Sequence, residues 1–153
     1  MRKVRATVDV VGSVADAEGL WYDLHRWPGF VEGFGTVVRR DDEWPRGGVL
    51  VWDSKPGGRG RVLERVVRWA PRDGQIAEVE DGQLTGVQTI AFAPIEGGGA
   101  RVELSLAYSL KRGGPFMAVA DLLYIRRAVG DSLNRTLVRF ARERRGDEEL
   151  GLA

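Results

Sequence analysis

The sequence predicts an α+β fold, a curved antiparallel sheet wrapped around one long C-terminal helix. Three observations lead there. First, Phe116, Ala120, Leu123, Ile125, Val129, Leu133, Leu137, Phe140 and Ala141 recur mostly three or four residues apart within residues 114–145, the spacing of one apolar helix face. Second, residues 36–110 change to a period of two, in six stretches separated by Gly-, Pro- and Asp-rich turns. Third, one more alternating stretch and two short helical patterns precede them. A helix over 115–145 would be roughly 45 Å long. It cannot bury its stripe on one short neighbour, and a sheet is the broad partner that the rest of the chain offers.

In chain order, residues 2–11 place Val4, Ala6, Val8 and Val10 on one face and Arg5, Thr7 and Asp9 on the other, as a half-buried strand does. Gly12 breaks it. Ser13 is suited to cap a helix with Asp16 in its first turn and Val14, Ala17, Leu20, Trp21 and Leu24 at helical spacing. That helix should end near His25, because Pro28 disfavours helical backbone at Trp27. Pro28 then starts a second short helix reaching Gly33, with Trp27, Phe30, Val31 and Phe34 as its bulky side. Strands follow at 36–40, 49–54, 59–69, 75–80, 84–93 and 100–110, with Asp81-Gly82 as a hairpin-type turn. The last strand alternates most cleanly, with Val102, Leu104, Leu106, Tyr108 and Leu110 on one face. Gly113-Gly114-Pro115 ends it and sets Pro in the first turn of the long helix. Arg126, Arg127, Asp131, Arg135, Arg139, Arg142 and Glu143 form the polar face of that helix. Residues 1–145 read as one domain and 146–153 as a short flexible tail. The predicted core is Val4, Val8, Val10, Leu20, Trp21, Leu24, Val66, Ile90, Phe92, Val102, Leu104, Leu106, Leu123, Val129, Leu133 and Leu137.

Composition bounds the function. With 153 residues, 43% hydrophobic and 29% charged, the chain suits one globular domain with a sizeable core. A net charge of +1 makes no case for a nucleic-acid partner, and the clusters Arg59, Arg61, Arg65, Arg68 and Arg142, Arg144, Arg145 read as solvated faces. Without cysteine there is no disulfide, thiolate nucleophile or thiolate metal site. His25, the one histidine, falls at the end of the first helix, where a cation suits the helix dipole. One His, no Cys and no Asp-rich loop lead us to expect no metal. No apolar signal core or membrane-length stretch is present, so a cytoplasmic protein is expected. Gly57-Gly58-Arg59-Gly60 joins two strands instead of opening a helix, which removes the phosphate-loop reading.

Several segments carry a family resemblance: residues 10–16 (Val-Val-Gly-Ser-Val-Ala-Asp), residues 20–30 with the Trp27-Pro28 pair, residues 61–66, residues 86–94 and the Gly98-Gly99-Ala100-Arg101-Val102 run. With the element order strand, two short helices, six strands, helix, the chain resembles the START/birch-pollen-allergen-like (SRPBCC) superfamily, in its polyketide cyclase/dehydrase branch. The resemblance spans about residues 2–145 and implies a helix-grip fold with a cavity between sheet and long helix. It implies lipid, sterol, polyketide or similar apolar ligands, and no cofactor. These are signatures of fold, and fold does not fix a reaction.

Candidate cavity residues follow from strand parity. Tyr108 shares the inward face with Leu104 and Leu106, and Gln88 alternates with Ile90 and Phe92. Trp52 is a candidate wall residue, and Asp121 and Tyr124 lie on the long helix near the expected wide end. For the strand at 59–69 the parity leaves two options. Either Leu63, Arg65, Val67 and Trp69 face inward, or Val62, Glu64, Val66 and Arg68 do, and both place a charge inside. Arg65 and Glu78 are the cavity candidates from this region, set against the plainer reading of a solvated ladder of opposite charges. No catalytic residue is assigned. Three functions are carried forward: a carrier or sensor of a small hydrophobic molecule, a polyketide cyclase or aromatase, and a protein-interaction module. A homodimer is left open.

Overall fold

The computed structural model describes residues 1–111 and 119–151. Strand β1 (Arg2–Val10) leads into helix α1 (Val14–Trp21), a 3-10 turn (Leu24–Arg26) and a one-turn helix α2 (Trp27–Phe30). Then come β2 (Phe34–Arg40), β3 (Val49–Ser54), β4 (Arg61–Ala70), β5 (Gly74–Glu80), β6 (Leu84–Pro94), β7 (Ala100–Leu110) and the long helix α3 (Val119–Glu149). The strands form one curved antiparallel sheet in the order β1-β7-β6-β5-β4-β3-β2. The chain is an α+β fold of the helix-grip type, as expected. The start of the long helix at Pro115 and the stripe residue Phe116 lie outside the described residues, as do residues 152 and 153.

Local chemistry sets the entry to α1. Gly12 sits at φ +87°, a backbone that a side chain rarely adopts, and a Cβ there would strike the Arg144 guanidinium. Ser13 Oγ then accepts from the Asp16 N–H at 3.1 Å while Asp16 Oδ2 accepts from the Ser13 N–H at 3.0 Å, a reciprocal cap that satisfies two free donors. Ser13→Ala is expected to cost about 1 kcal/mol, readable as a lower urea midpoint with an unchanged m-value.

One end of the sheet is filled by aromatic side chains. Phe140 of α3 packs edge-on against Trp21 and Phe30, with ring centroids 5.6 and 5.2 Å away. Trp27, Phe34, Trp44 and Trp52 continue the cluster. The Trp27 indole N–H donates to the Trp21 carbonyl at 2.7 Å, so the ring buries without an unpaired donor. Here α3 is clamped. Thr136, Leu137, Phe140, Arg144 and Asp147 are its buried residues, and none of its described residues before Thr136 is buried.

Three expectations are corrected. Leu123 is exposed, not core; the inward stripe passes through Leu122, Ile125, Val129 and Leu133 instead, all half-buried. The run Leu122-Leu123-Tyr124-Ile125 offers apolar residues at every helical angle, and packing of the clamped half selects the phase. Arg144 is not on a solvated face but 2% exposed, and its guanidinium donates to the Val11 carbonyl and to Glu148. The helix also continues past Arg145 to Glu149, because Asp147 is drawn in by Arg26, with contacts of 3.0 and 3.1 Å.

Candidate functional site at the open end of the sheet

The other end of the sheet carries the β3–β4 and β5–β6 connections and the C-terminus of β7. The unclamped half of α3 covers it. Here the concave face is apolar except for a few polar groups, and strand register decides which.

On β4, Val62, Glu64 and Val66 face inward, and a bulge follows. Val66 pairs with Ala77 and Arg68 with Ile76, so Val67 is an extra residue that reverses the parity. Trp69 therefore faces inward opposite buried Gln75, while Val67 and Arg68 are both exposed. Each of the two parities left open by the sequence holds on one side of the bulge. Arg65 and Glu78 pair in register on the outer face, both exposed, and border a 340 Å³ depression with Leu63, Glu80 and Thr85. They do not line the interior.

Glu64 does. It is 4% exposed, and its Oε2 accepts from the Trp52 indole N–H at 2.7 Å. Burial pushes its carboxyl above the ordinary range, partly offset by that hydrogen bond and by the charge of Arg59. Arg59 stands with its guanidinium 5.7 Å from the centre of the Trp52 ring and is held by Asp81 at 2.8 Å. Asp81 in turn accepts the N–H groups of Gln83 and Leu84 at the β5–β6 turn. An acid in an apolar wall, its indole donor and a rim cation thus form one unit.

Across the sheet the row runs Glu64, Val79, Gly86, Tyr108 by successive pairings. Three strand spacings separate its ends, about 14 Å along the sheet. Gly86 leaves the middle of the row bare, and a Cβ there would run into the Ala107 carbonyl oxygen. Tyr108 is 1% exposed, and its hydroxyl has no hydrogen-bond partner among the described residues. A buried phenol without a partner costs free energy and points to a ligand or water.

The remaining candidates divide. Ile90, Phe92, Leu104 and Leu106 are buried on the inner face, and half-buried Gln88 lies between Ala77 and Leu106. Trp52 is buried in the aromatic cluster with its N–H turned to Glu64. Asp121 and Tyr124 are exposed on α3, outside the interior. His25 is exposed beside a separate 600 Å³ cleft between α2 and β2. Two openings flank the free half of α3. One of 360 Å³ is lined by Arg2, Tyr108, Leu110 and Leu122; a larger one of 1060 Å³ runs between α3 and β1. Among the described residues no group of three or more His, Cys, Asp and Glu is placed to hold a metal, and no helix is long and apolar enough to cross a membrane.

The family described as "Polyketide cyclase / dehydrase and lipid transport" matches residues 1–144. The chain belongs to this family. No curated protein matches. Among solved structures, a START superfamily protein from Mycobacterium smegmatis aligns with a TM-score of 0.73 at 14% identity, over 94% of this chain and 97% of the other. A protein of Thermus thermophilus aligns at 0.71 and 20%, over 92% and 95%. The di-domain ARO/CYC StfQ of the steffimycin biosynthetic pathway aligns at 0.71 and 21%, over 94% of this chain but 51% of its own length. At these identities the likeness is one of fold, and a family member's ligand is read from its own wall residues.

Proposed function

We propose that the protein binds a small, mostly apolar molecule bearing oxygen functions, along the Glu64–Tyr108 row beneath the free half of α3, as a carrier or sensor. The observation that carries this reading is the buried Tyr108 hydroxyl, without a partner among the described residues, at one end of an apolar row whose other end is a buried acid. Apolar walls supply affinity in proportion to buried area, and two placed polar groups supply orientation. Lipid, polyketide and terpenoid oxygens are all served by this arrangement.

The test compares two flat polycyclic probes of one carbon skeleton, one with quinone oxygens and one without, by displacement of a fluorescent apolar dye. Tyr108→Phe is expected to weaken the quinone about tenfold, the worth of one hydrogen bond of ~1.4 kcal/mol, and to leave the hydrocarbon unchanged. Equal affinities for the quinone in both proteins would remove Tyr108 from the site. If neither probe nor dye binds the parent protein, the row is not a ligand site.

Glu64 favours a second reading, a polyketide cyclase. A carboxyl raised by burial keeps its proton to higher pH than an exposed one and is suited to general acid chemistry. In that role it donates its proton to a ketone oxygen as an enol carbon of the same poly-ketone attacks, and its carboxylate takes up the proton the enol hydroxyl releases. In the elimination it gives a proton to the departing hydroxyl, which leaves as water, and its carboxylate takes the proton from the adjacent carbon, restoring the acid. Arg65 and Glu78, on the outer face, take no part.

A further inference from the structure

We propose that the free half of α3 and the adjoining edge of β1 form a docking face for an anionic lipid surface. Three large apolar side chains protrude there: Val119, Leu123 and Tyr124 are 71%, 58% and 74% exposed. Leu123 and Tyr124 line the 1060 Å³ groove beside β1 together with Lys3, Arg5, Arg126 and Arg127. Some surface cations elsewhere are paired, Arg61 with Asp53, Arg101 with Asp9, Arg135 with Glu32 and Lys111 with Glu80, while others, Lys55, Arg68 and Arg142 among them, stand exposed. What marks this face is several cations and large apolar side chains together. The four groove cations make no ion pair among the described residues. Asp131 is the one carboxylate that lines the groove, and Glu103 of β7 lies diagonal to Arg5 across the β1–β7 pairing, so the groove lining stays net cationic.

The combination selects the partner. Unpaired Lys and Arg beside protruding Leu, Val and Tyr match a bilayer interface, which offers anionic headgroups and apolar depth together. A nucleic acid would use the cations and leave the apolar side chains in water. A second copy across a two-fold axis would bring two cationic faces together. The placement also serves transfer: Leu122, adjacent to Leu123 on the helix, lines the smaller opening at Tyr108. Docking itself does not require the ligand reading and is tested separately.

Because the chain has no cysteine, Tyr124→Cys can carry a single environment-sensitive dye, with Val138→Cys, exposed on the clamped half, as the control. Vesicles of phosphatidylcholine mixed with phosphatidylglycerol are expected to blue-shift the dye at 124 and not at 138. Co-sedimentation of the unlabelled parent with the same vesicles should agree. Arg126→Glu with Arg127→Glu should weaken binding on the order of 30-fold or more, and salt near ~1 M, where the Debye length is about 3 Å, should abolish it. The proposal is overturned by no shift at 124, by an equal shift on pure phosphatidylcholine, by a shift that follows protein concentration without vesicles, or by one produced by RNA alone.

Discussion

Arg144→Ala is expected to destabilise the fold by about 3 kcal/mol, the low end for removing one partner of a buried ion pair. The guanidinium holds three elements at once. It donates to the Val11 carbonyl at the end of β1 at 3.3 Å, pairs with Glu148 one turn along α3 at 2.9 Å, and lies 3.9 Å from Asp16 of α1 and from Asp147. Its loss leaves Asp147 to Arg26 alone and opens a void where the buried stem lay. The estimate stays at the low end because Arg26 still compensates Asp147 and Glu148 reaches solvent. Urea unfolding measures the loss. Arg144→Met, which restores the stem without the charge, separates packing from pairing. If both variants match the parent, the cluster contributes nothing to anchoring α3.

Glu64→Gln is expected to have two large and separable effects. The first is on stability against pH. A carboxyl whose folded pKa is raised binds its proton more tightly in the folded state. Its contribution is intact below the ordinary carboxylate range and is lost as pH rises through the raised value. Glutamine does not titrate, and its oxygen can still accept from the Trp52 N–H. The variant should therefore gain thermal stability over the parent as pH rises above the ordinary carboxylate range, with the gain growing until the raised folded value is passed. A difference that is flat with pH would mean that Glu64 titrates as an exposed acid. The second effect separates the functional readings. In a cyclase the change should cut turnover of a poly-ketone by about 10²–10⁴-fold, the usual worth of a general acid or base. In a carrier it should move ligand affinity only severalfold.

The elements themselves are legible in the sequence. The alternation of β7 identifies its inner face, Ser13 and Asp16 mark the start of α1, and the turn residues separate the strands close to their observed ends. The misses share a cause: periodicity gives a face only where one phase dominates. Four consecutive apolar residues from Leu122 to Ile125 leave the helix phase undetermined, and spacing alone puts Leu123 on the wrong side. A signal is present downstream, where Leu133, Leu137, Phe140, Arg144 and Asp147 keep three- and four-residue spacing. Following it through the charged residues places Arg144 and Asp147 inside. Glu64 stands in one of two open parities. Nothing local distinguishes it from Arg65, because the deciding fact is a bulge set by pairing with β5. That the Tyr108 hydroxyl finds no partner among the described residues is a matter of three-dimensional packing, which periodicity does not carry.

The extra residue at Val67 bears on how relatives of this chain should be compared. A one-residue gap in a loop changes length and little else. A gap at this position exchanges every wall residue of half a strand for its solvent-facing neighbour, so that a Trp in one protein would be matched to an Arg in another. Comparisons of binding chemistry across the family therefore have to be aligned separately on the two sides of Val67.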